Sequence, residues 1–154
     1  MRLYLSLGAN IGPRRENIAL ALQALSERIG PLVGCSSFYE TAPEGFDSPH
    51  AFLNAAAVFE TDLSPILLLD ITQDIERSLG RTRKSHDGIH YDRPIDIDLL
   101  QLDQQVVVHP RLSLPHPHYP YRLFVLQPLA EIAPDLRHPL TGETVREMLE
   151  KQTS

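Results

Sequence analysis

Arg93-Pro94-Ile95-Asp96-Ile97-Asp98-Leu99-Leu100 is the stretch from which the rest of the chain is read. Apart from its two aspartates the segment is apolar and β-branched, so it reads as a strand. In a strand, side chains at i and i+2 share a face. Asp96 and Asp98 therefore stand together, roughly 6–7 Å apart by strand rise. Ile95, Ile97 and Leu99 turn the other way, toward a core. Two like charges side by side repel, and a cation between them removes the conflict. An oxygen pair with no cysteine nearby suits a hard ion, Mg²⁺ before Zn²⁺. Taken alone, the strand also admits a plainer reading, a solvated polar edge.

Basic residues flank this strand. Arg81-Thr82-Arg83-Lys84 lies upstream, Arg93 immediately precedes it, and Arg122 follows in Tyr121-Arg122-Leu123-Phe124. The chain as a whole carries a formal charge of −6, which argues against a general nucleic-acid binder. Positive charge gathered beside a carboxylate pair is what a Mg²⁺–nucleoside triphosphate needs. The carboxylates hold metal, and Arg and Lys hold phosphate oxygens. By itself, Arg81–Lys84 is equally a basic helix C-terminus favoured by the helix dipole.

At 154 residues the expectation is one domain, residues 1–154, around one core. No run approaches the ~20 apolar residues that span a bilayer, so no membrane partner is expected. Met1–Gly8 reads as a strand rather than a signal peptide. Cys35 is the only cysteine, which excludes an internal disulfide. These features fit a cytoplasmic protein.

Alternation over Leu3–Leu7 gives a first strand, and Gly8-Ala9-Asn10 turns it. A helix starts near Pro13, buries Ile18, Leu22, Leu25 and Ile29, and stops at Gly30-Pro31. Val33–Tyr39 reads as the second strand and Phe52–Phe59 as the third. Ser64-Pro65 opens a second helix with Leu68, Ile71, Ile75 and Leu79 on one face, closed by Gly80. Ile95–Leu102 is the fourth strand, and Asp103-Gln104 turns it into a short hairpin with Val106–Val108. The prolines from Pro110 to Pro139 predict ordered loop and short elements, before a last helix near Glu143–Lys151. The order β-α-β-β-α-β is the ferredoxin-like α+β pattern. One antiparallel sheet packs one face on two helices and leaves its other face for a site.

Several segments together resemble the hydroxymethyldihydropterin pyrophosphokinase family of folate biosynthesis, from Leu5 to about Leu149. They are Leu5–Gly12, Ser36–Pro43, Phe52–Ala56, Gln73–Glu76, Gly80–Lys84, Arg93–Leu100, Leu114-Pro115-His116, Arg122–Leu129 and Glu131-Ile132-Ala133-Pro134. Any one match is weak, and their joint order over nearly the whole chain is strong. The resemblance implies transfer of pyrophosphate from ATP to 6-hydroxymethyl-7,8-dihydropterin, releasing AMP. It assigns Asp96 and Asp98 to two Mg²⁺ ions and places the catalytic arginines Arg81 and Arg93 on and beside a mobile loop. Gln73, Glu76, His116 and Arg122 would meet the nucleotide, with Arg83 and Lys84 adding charge to its phosphates. Asn54 would read the pterin edge. Thr41, Ala42, Pro43 and Glu44 would come from a substrate loop, and Phe124 would stack on the ring with Phe52 near it. The family's loop tryptophan is absent, leaving Tyr91 or His90 as a lid aromatic. With little to bury and much charge, the loop Arg81–Arg93 is expected to close over bound triphosphate.

Two other classes fit part of the pattern. A metal-dependent phosphodiesterase or nucleotidyl transferase would use the same aspartates without a pterin pocket. A ferredoxin-like sensing or assembly module would leave them solvated. Asn54 and Phe124 favour pterin over the first, and the arginine–aspartate grouping disfavours the second.

Overall fold

Three leucines and an alanine in alternation set the plane of the sheet. In β1 (Arg2–Ala9), Leu3, Leu5, Leu7 and Ala9 are fully buried on one face, while Tyr4, Ser6 and Gly8 take the other. The computed structural model describes residues 1–41, 51–80 and 94–154. Along the chain follow α1 (Arg14–Arg28), β2 (Leu32–Cys35), β3 (Tyr39–Thr41), β4 (Phe52–Glu60), α2 (Pro65–Ser78), β5 (Asp96–Leu102), β6 (Val107–His109) and β7 (Leu112–Leu114). A 3-10 turn (Tyr119–Tyr121), α3 (Leu123–Ile132) and α4 (Val145–Thr153) complete it. The sheet order is β2-β4-β1-β5, antiparallel throughout, with β3 also paired to β4. This is the ferredoxin-like arrangement.

Both expected helices form and cover one face. Ile18, Ala21 and Leu25 of α1 and Leu68 and Ile75 of α2 join Leu3, Leu5, Leu7, Leu53, Ala55, Ala57, Phe59, Ile97 and Leu99 in one core. Gly30 ends the α1 region at φ 145°, where a Cβ would lie 1.8 Å from the Glu60 carbonyl oxygen, so only glycine fits.

Three expectations need correction. Val33–Tyr39 is not one strand. Ser36 donates its N–H to the Ala56 carbonyl, and its hydroxyl accepts the Ala56 N–H at 2.9 Å, replacing a ladder carbonyl. That substitution breaks the run into β2 and β3. Next, Val106–Val108 does not fold back on β5. Val107–His109 pairs with Leu112–Leu114 instead, because Asp103, at φ 46°, tucks its N–H onto the Arg2 carbonyl. Finally, the proline-rich third contains a ten-residue helix, α3, with Pro128 inside it. Its apolar stripe Val125, Leu126 and Leu129 outweighs the proline penalty. With Val145 and Met148 of α4, that stripe packs on Ala56, Leu100 and Tyr119. The second face of the sheet is thus roofed at this end rather than free. The last helix does form where expected, opened by a capping box of Thr144 and Glu147.

A bulge sharpens the division. Leu5 pairs with Leu99 but Tyr4 with Gln101, so Leu100 and Gln101 both turn to the second face. Leu100 enters the second core, and Gln101 accepts the buried Tyr119 hydroxyl at 2.6 Å.

Candidate active site

Register brings the decisive residues into one row. Gly8 of β1 pairs with Asn54 of β4 on one side and with Asp96 of β5 on the other. Tyr39 of β3 lies opposite Asn54. One row further along, Ser6 stands between Ala56 and Asp98. Asn54, Asp96 and Asp98 therefore share the second face, at the end that α3 and α4 leave uncovered. Strands lie about 4.8 Å apart, so Asn54 and Asp96 are about 10 Å apart across the row.

Gly8 makes that row possible. A Cβ there would sit 3.0 Å from Asn54 Oδ1 and 3.5 Å from Phe52 Cδ1. Both side chains lean over the bare backbone of β1. Asn54 is 3% exposed, and its Nδ2 donates to Thr41 Oγ1 at 2.6 Å. The amide is thereby oriented by β3, and Phe52 is buried beside it. The sequence-based pterin residues Thr41, Phe52 and Asn54 thus meet in space. Ala42, Pro43 and Glu44 lie outside the described residues.

On β5 the two carboxylates are half-buried, with Ile95, Ile97 and Leu99 turned into the first core. The strand is a sheet edge, and α2 seals it. Glu76, 3% exposed, accepts the Ile97 N–H at 2.7 Å between the two aspartates. The helix face carrying Gln73 and Glu76 is accordingly turned to the strand that carries Asp96 and Asp98. Arg111 stands beside it, bonded to Asp70 at 2.5 Å and 3.4 Å from Gln73 Oε1. Sequence reading did not single out Arg111. Nothing local marks it, since only the β6–β7 hairpin brings it to α2.

His116 joins the same edge, its N–H bonded to the Leu100 carbonyl at 2.8 Å. Its Nδ1 accepts the His118 N–H at 3.1 Å. Arg122 lies 5.7 Å from the centre of the Phe124 ring, at the start of α3. Phe124 packs against the second core with Ala56, two residues from Asn54 on β4. Arg81, Arg83, Lys84 and Arg93, with the lid expectation they carry, lie outside the described residues.

Among the described residues no group of three or more His, Cys, Asp or Glu side chains converges on one metal position. The Asp96–Asp98 pair is an all-oxygen donor set, which fits a hard cation that takes its other ligands from phosphate and water. Among the described residues no helix is long and apolar enough to cross a membrane.

The chain is similar to known proteins over most of its length. Residues 4–134 match the family model for 7,8-dihydro-6-hydroxymethylpterin-pyrophosphokinase (HPPK). The chain belongs to the HPPK family. It is 51% identical over 138 residues to the 2-amino-4-hydroxy-6-hydroxymethyldihydropteridine pyrophosphokinase of Porphyromonas gingivalis, covering 89% of this chain and 93% of that one. To the protein of the same name from Methylorubrum extorquens it is 45% identical, covering 97% and 92%. Among solved structures it is similar to Plasmodium falciparum HPPK-DHPS, with a TM-score of 0.77 at 16% identity. That likeness covers 97% of this chain and 44% of the other, so this chain spans under half of it, and it speaks for the fold. As an HPPK the chain is an ATP-dependent diphosphotransferase that passes pyrophosphate to hydroxymethyldihydropterin in folate biosynthesis.

Proposed function

We propose that the second-face row is where this reaction occurs, with Asn54 at the pterin end and Asp96 and Asp98 at the triphosphate end. The observation that carries the reading is the register Asn54–Gly8–Asp96, two strand spacings wide on one face. About 10 Å of sheet leaves room for a flat heterocycle whose hydroxymethyl arm extends toward the carboxylates. Asn54 presents a donor and an acceptor to the heterocycle edge, while Thr41 orients it and Phe52 and Phe124 supply apolar surface.

Release of AMP fixes the bond change. The hydroxymethyl oxygen attacks the β-phosphorus of ATP, and the bond from that phosphorus to the oxygen bridging the α-phosphate breaks. Asp96 and Asp98 would hold two Mg²⁺ ions, which supply charge neutralisation on the triphosphate and activate the attacking oxygen. Glu76 fixes the strand that carries them. Gln73, Glu76, His116 and Arg122, with Arg83 and Lys84, would bind the nucleotide. Arg81 and Arg93 would meet the charge of the transition state with their guanidinium forks. A single domain, residues 1–154, and a cytoplasmic site of action belong to the same proposal. Both cores are built on one sheet, and the co-substrate is ATP.

The test combines product analysis with one substitution. With ATP, Mg²⁺ and the pterin, AMP rather than ADP accumulates. Asn54→Ala leaves a heterocycle edge unpaired and weakens pterin binding by about 1–3 kcal/mol, measured by calorimetry with a non-hydrolysable ATP analogue present. Unchanged pterin affinity removes Asn54 from the site.

A further inference from the structure

Glu131 lies on none of the strands that bear the site, yet three hydrogen bonds tie it to β3 and to Ser37 just before that strand. It sits near the end of α3. Its Oε1 accepts the Tyr39 hydroxyl at 2.6 Å, and its Oε2 accepts the Ser37 N–H at 2.8 Å and the Ser37 hydroxyl at 3.2 Å. Those bonds hold its carboxyl below the usual range, the Tyr39 hydroxyl contributing most. The Tyr39 phenol is raised in turn by the same bond.

The element held in this way has little else. Strand β3 has three residues and pairs with β4 along one side, and so short a strand is weak by itself. It follows directly on the Ser36 break, where ladder bonding is interrupted. Yet it carries Thr41, whose Oγ1 sets the Asn54 amide. The opposite face of β3 is also tied. Arg14, at the start of α1, bonds Glu40 at 3.0 Å and the Ala51 carbonyl at 2.8 Å. Exposed ion pairs add little to stability. A carboxylate accepting three bonds from two residues either side of Phe38 instead fixes a position.

We propose that Glu131 is a positioning residue for pterin recognition. By bracketing Ser37 and Tyr39 it sets where β3 lies on β4, and hence where Thr41 meets Asn54. The proposal rests on the reading of Asn54 as a pterin contact. It gives Glu131 a role in substrate selection, though Glu131 lies at the opposite end of α3 from Phe124.

The test measures pterin and ATP KM and kcat for Glu131→Ala, Glu131→Gln and Asn54→Ala in the full chain, and for the Glu131→Ala/Asn54→Ala pair. Glu131→Gln keeps the volume and one acceptor, so it guards against a variant that fails to fold. Its amide nitrogen would face the Ser37 N–H. The pterin KM should rise about tenfold in Glu131→Ala and less in Glu131→Gln, with ATP KM and kcat within about twofold of the parent. In the Asn54→Ala background the Glu131 effect should shrink to within about twofold, because the two act in series. If Asn54→Ala weakens pterin binding but Glu131→Ala does not, or raises both KM values equally, the positioning role falls and the site reading stands. If the two effects simply multiply, the role also falls. If Asn54→Ala leaves pterin affinity unchanged, the site reading falls and takes this inference with it.

Discussion

The two faces of the sheet are built from the same strands and have opposite characters. Toward α1 and α2 the face is apolar from end to end, Leu3, Leu5, Leu7, Ala9, Ala55, Ala57, Phe59, Ile97 and Leu99 all being buried. The other face is divided. Ala56 and Leu100 lie under α3 and α4 at one end, and Asn54, Gly8, Asp96 and Asp98 occupy the other. A face that only excludes water can be uniform. A face that handles charged substrates must keep polar groups near solvent, since burying them unpaired is costly. The alternation of the strands lets one backbone satisfy both demands.

That contrast is broken most sharply by a change of charge on the divided face. Asp98→Asn keeps shape and removes one negative charge from a half-buried position. If the carboxylates hold Mg²⁺, kcat should fall at least about 10³-fold, equivalent to about 4 kcal/mol of lost transition-state stabilisation. The melting temperature should barely move. Steady-state kinetics beside a thermal melt would decide it, and near-normal turnover would remove the metal role from this pair.

The converse change is made on the uniform face. Leu5 is fully buried at the centre of the first core. Leu5→Ala should cost about 3 kcal/mol through lost burial and a residual cavity, read from urea unfolding. The molecules that remain folded should keep their KM values, because Leu5 points away from Ser6 and Gly8. A large rise in either KM would show that the faces are coupled and that the division is only geometric.

The legibility of the sequence follows the same line. Period-2 runs facing one continuous core announced β1, β4 and β5, and the spacing of Ile18, Leu22, Leu25 and of Leu68, Ile71, Ile75 announced both helices. Where a side chain replaces a backbone partner, period carries no information. Ser36 splits a strand by such a replacement, and that break was invisible. Proline count misled at α3, because Pro128 sits on a helix whose buried stripe outweighs it. Asp96 and Asp98 were legible as a local anomaly, two charges on a strand that otherwise reads as core. Asn54 was found through the family resemblance, and no periodicity marks it. The contacts of Arg111 and Glu131 were not legible at all. Their partners lie 38 residues away or more in sequence, at Gln73, Tyr39 and Ser37, and only folding brings them together.

A smaller effect tests the roofed end of the divided face. His138 is 6% exposed, its ring 5.5 Å from that of Tyr119, and its Nδ1 accepts the Leu140 N–H at 3.2 Å. Burial lowers its pKa from the ordinary 6.5, and the nearby Glu143 carboxylate opposes that shift only in part, itself paired with Lys151. The folded protein therefore binds a proton at His138 less readily than the unfolded chain does. The sign follows by linkage. The stabilising contribution is fully present above pH 6.5 and is lost as pH falls through the lower folded value. His138→Asn supplies a carbonyl oxygen for the Leu140 N–H and nothing that titrates there. Melting temperatures of the two proteins, measured in steps from pH 7.5 to 5, should diverge below pH 6.5, with the parent falling more steeply. The effect should be a change of slope and not a loss of fold, because one imidazole at the rim of the second core is involved. Every other carboxylate and histidine is common to both proteins, so their contributions cancel in the difference. Parallel curves would mean that the His138 ring is protonated as readily in the fold as in the unfolded chain, and that the roofed end is wetter than its burial indicates.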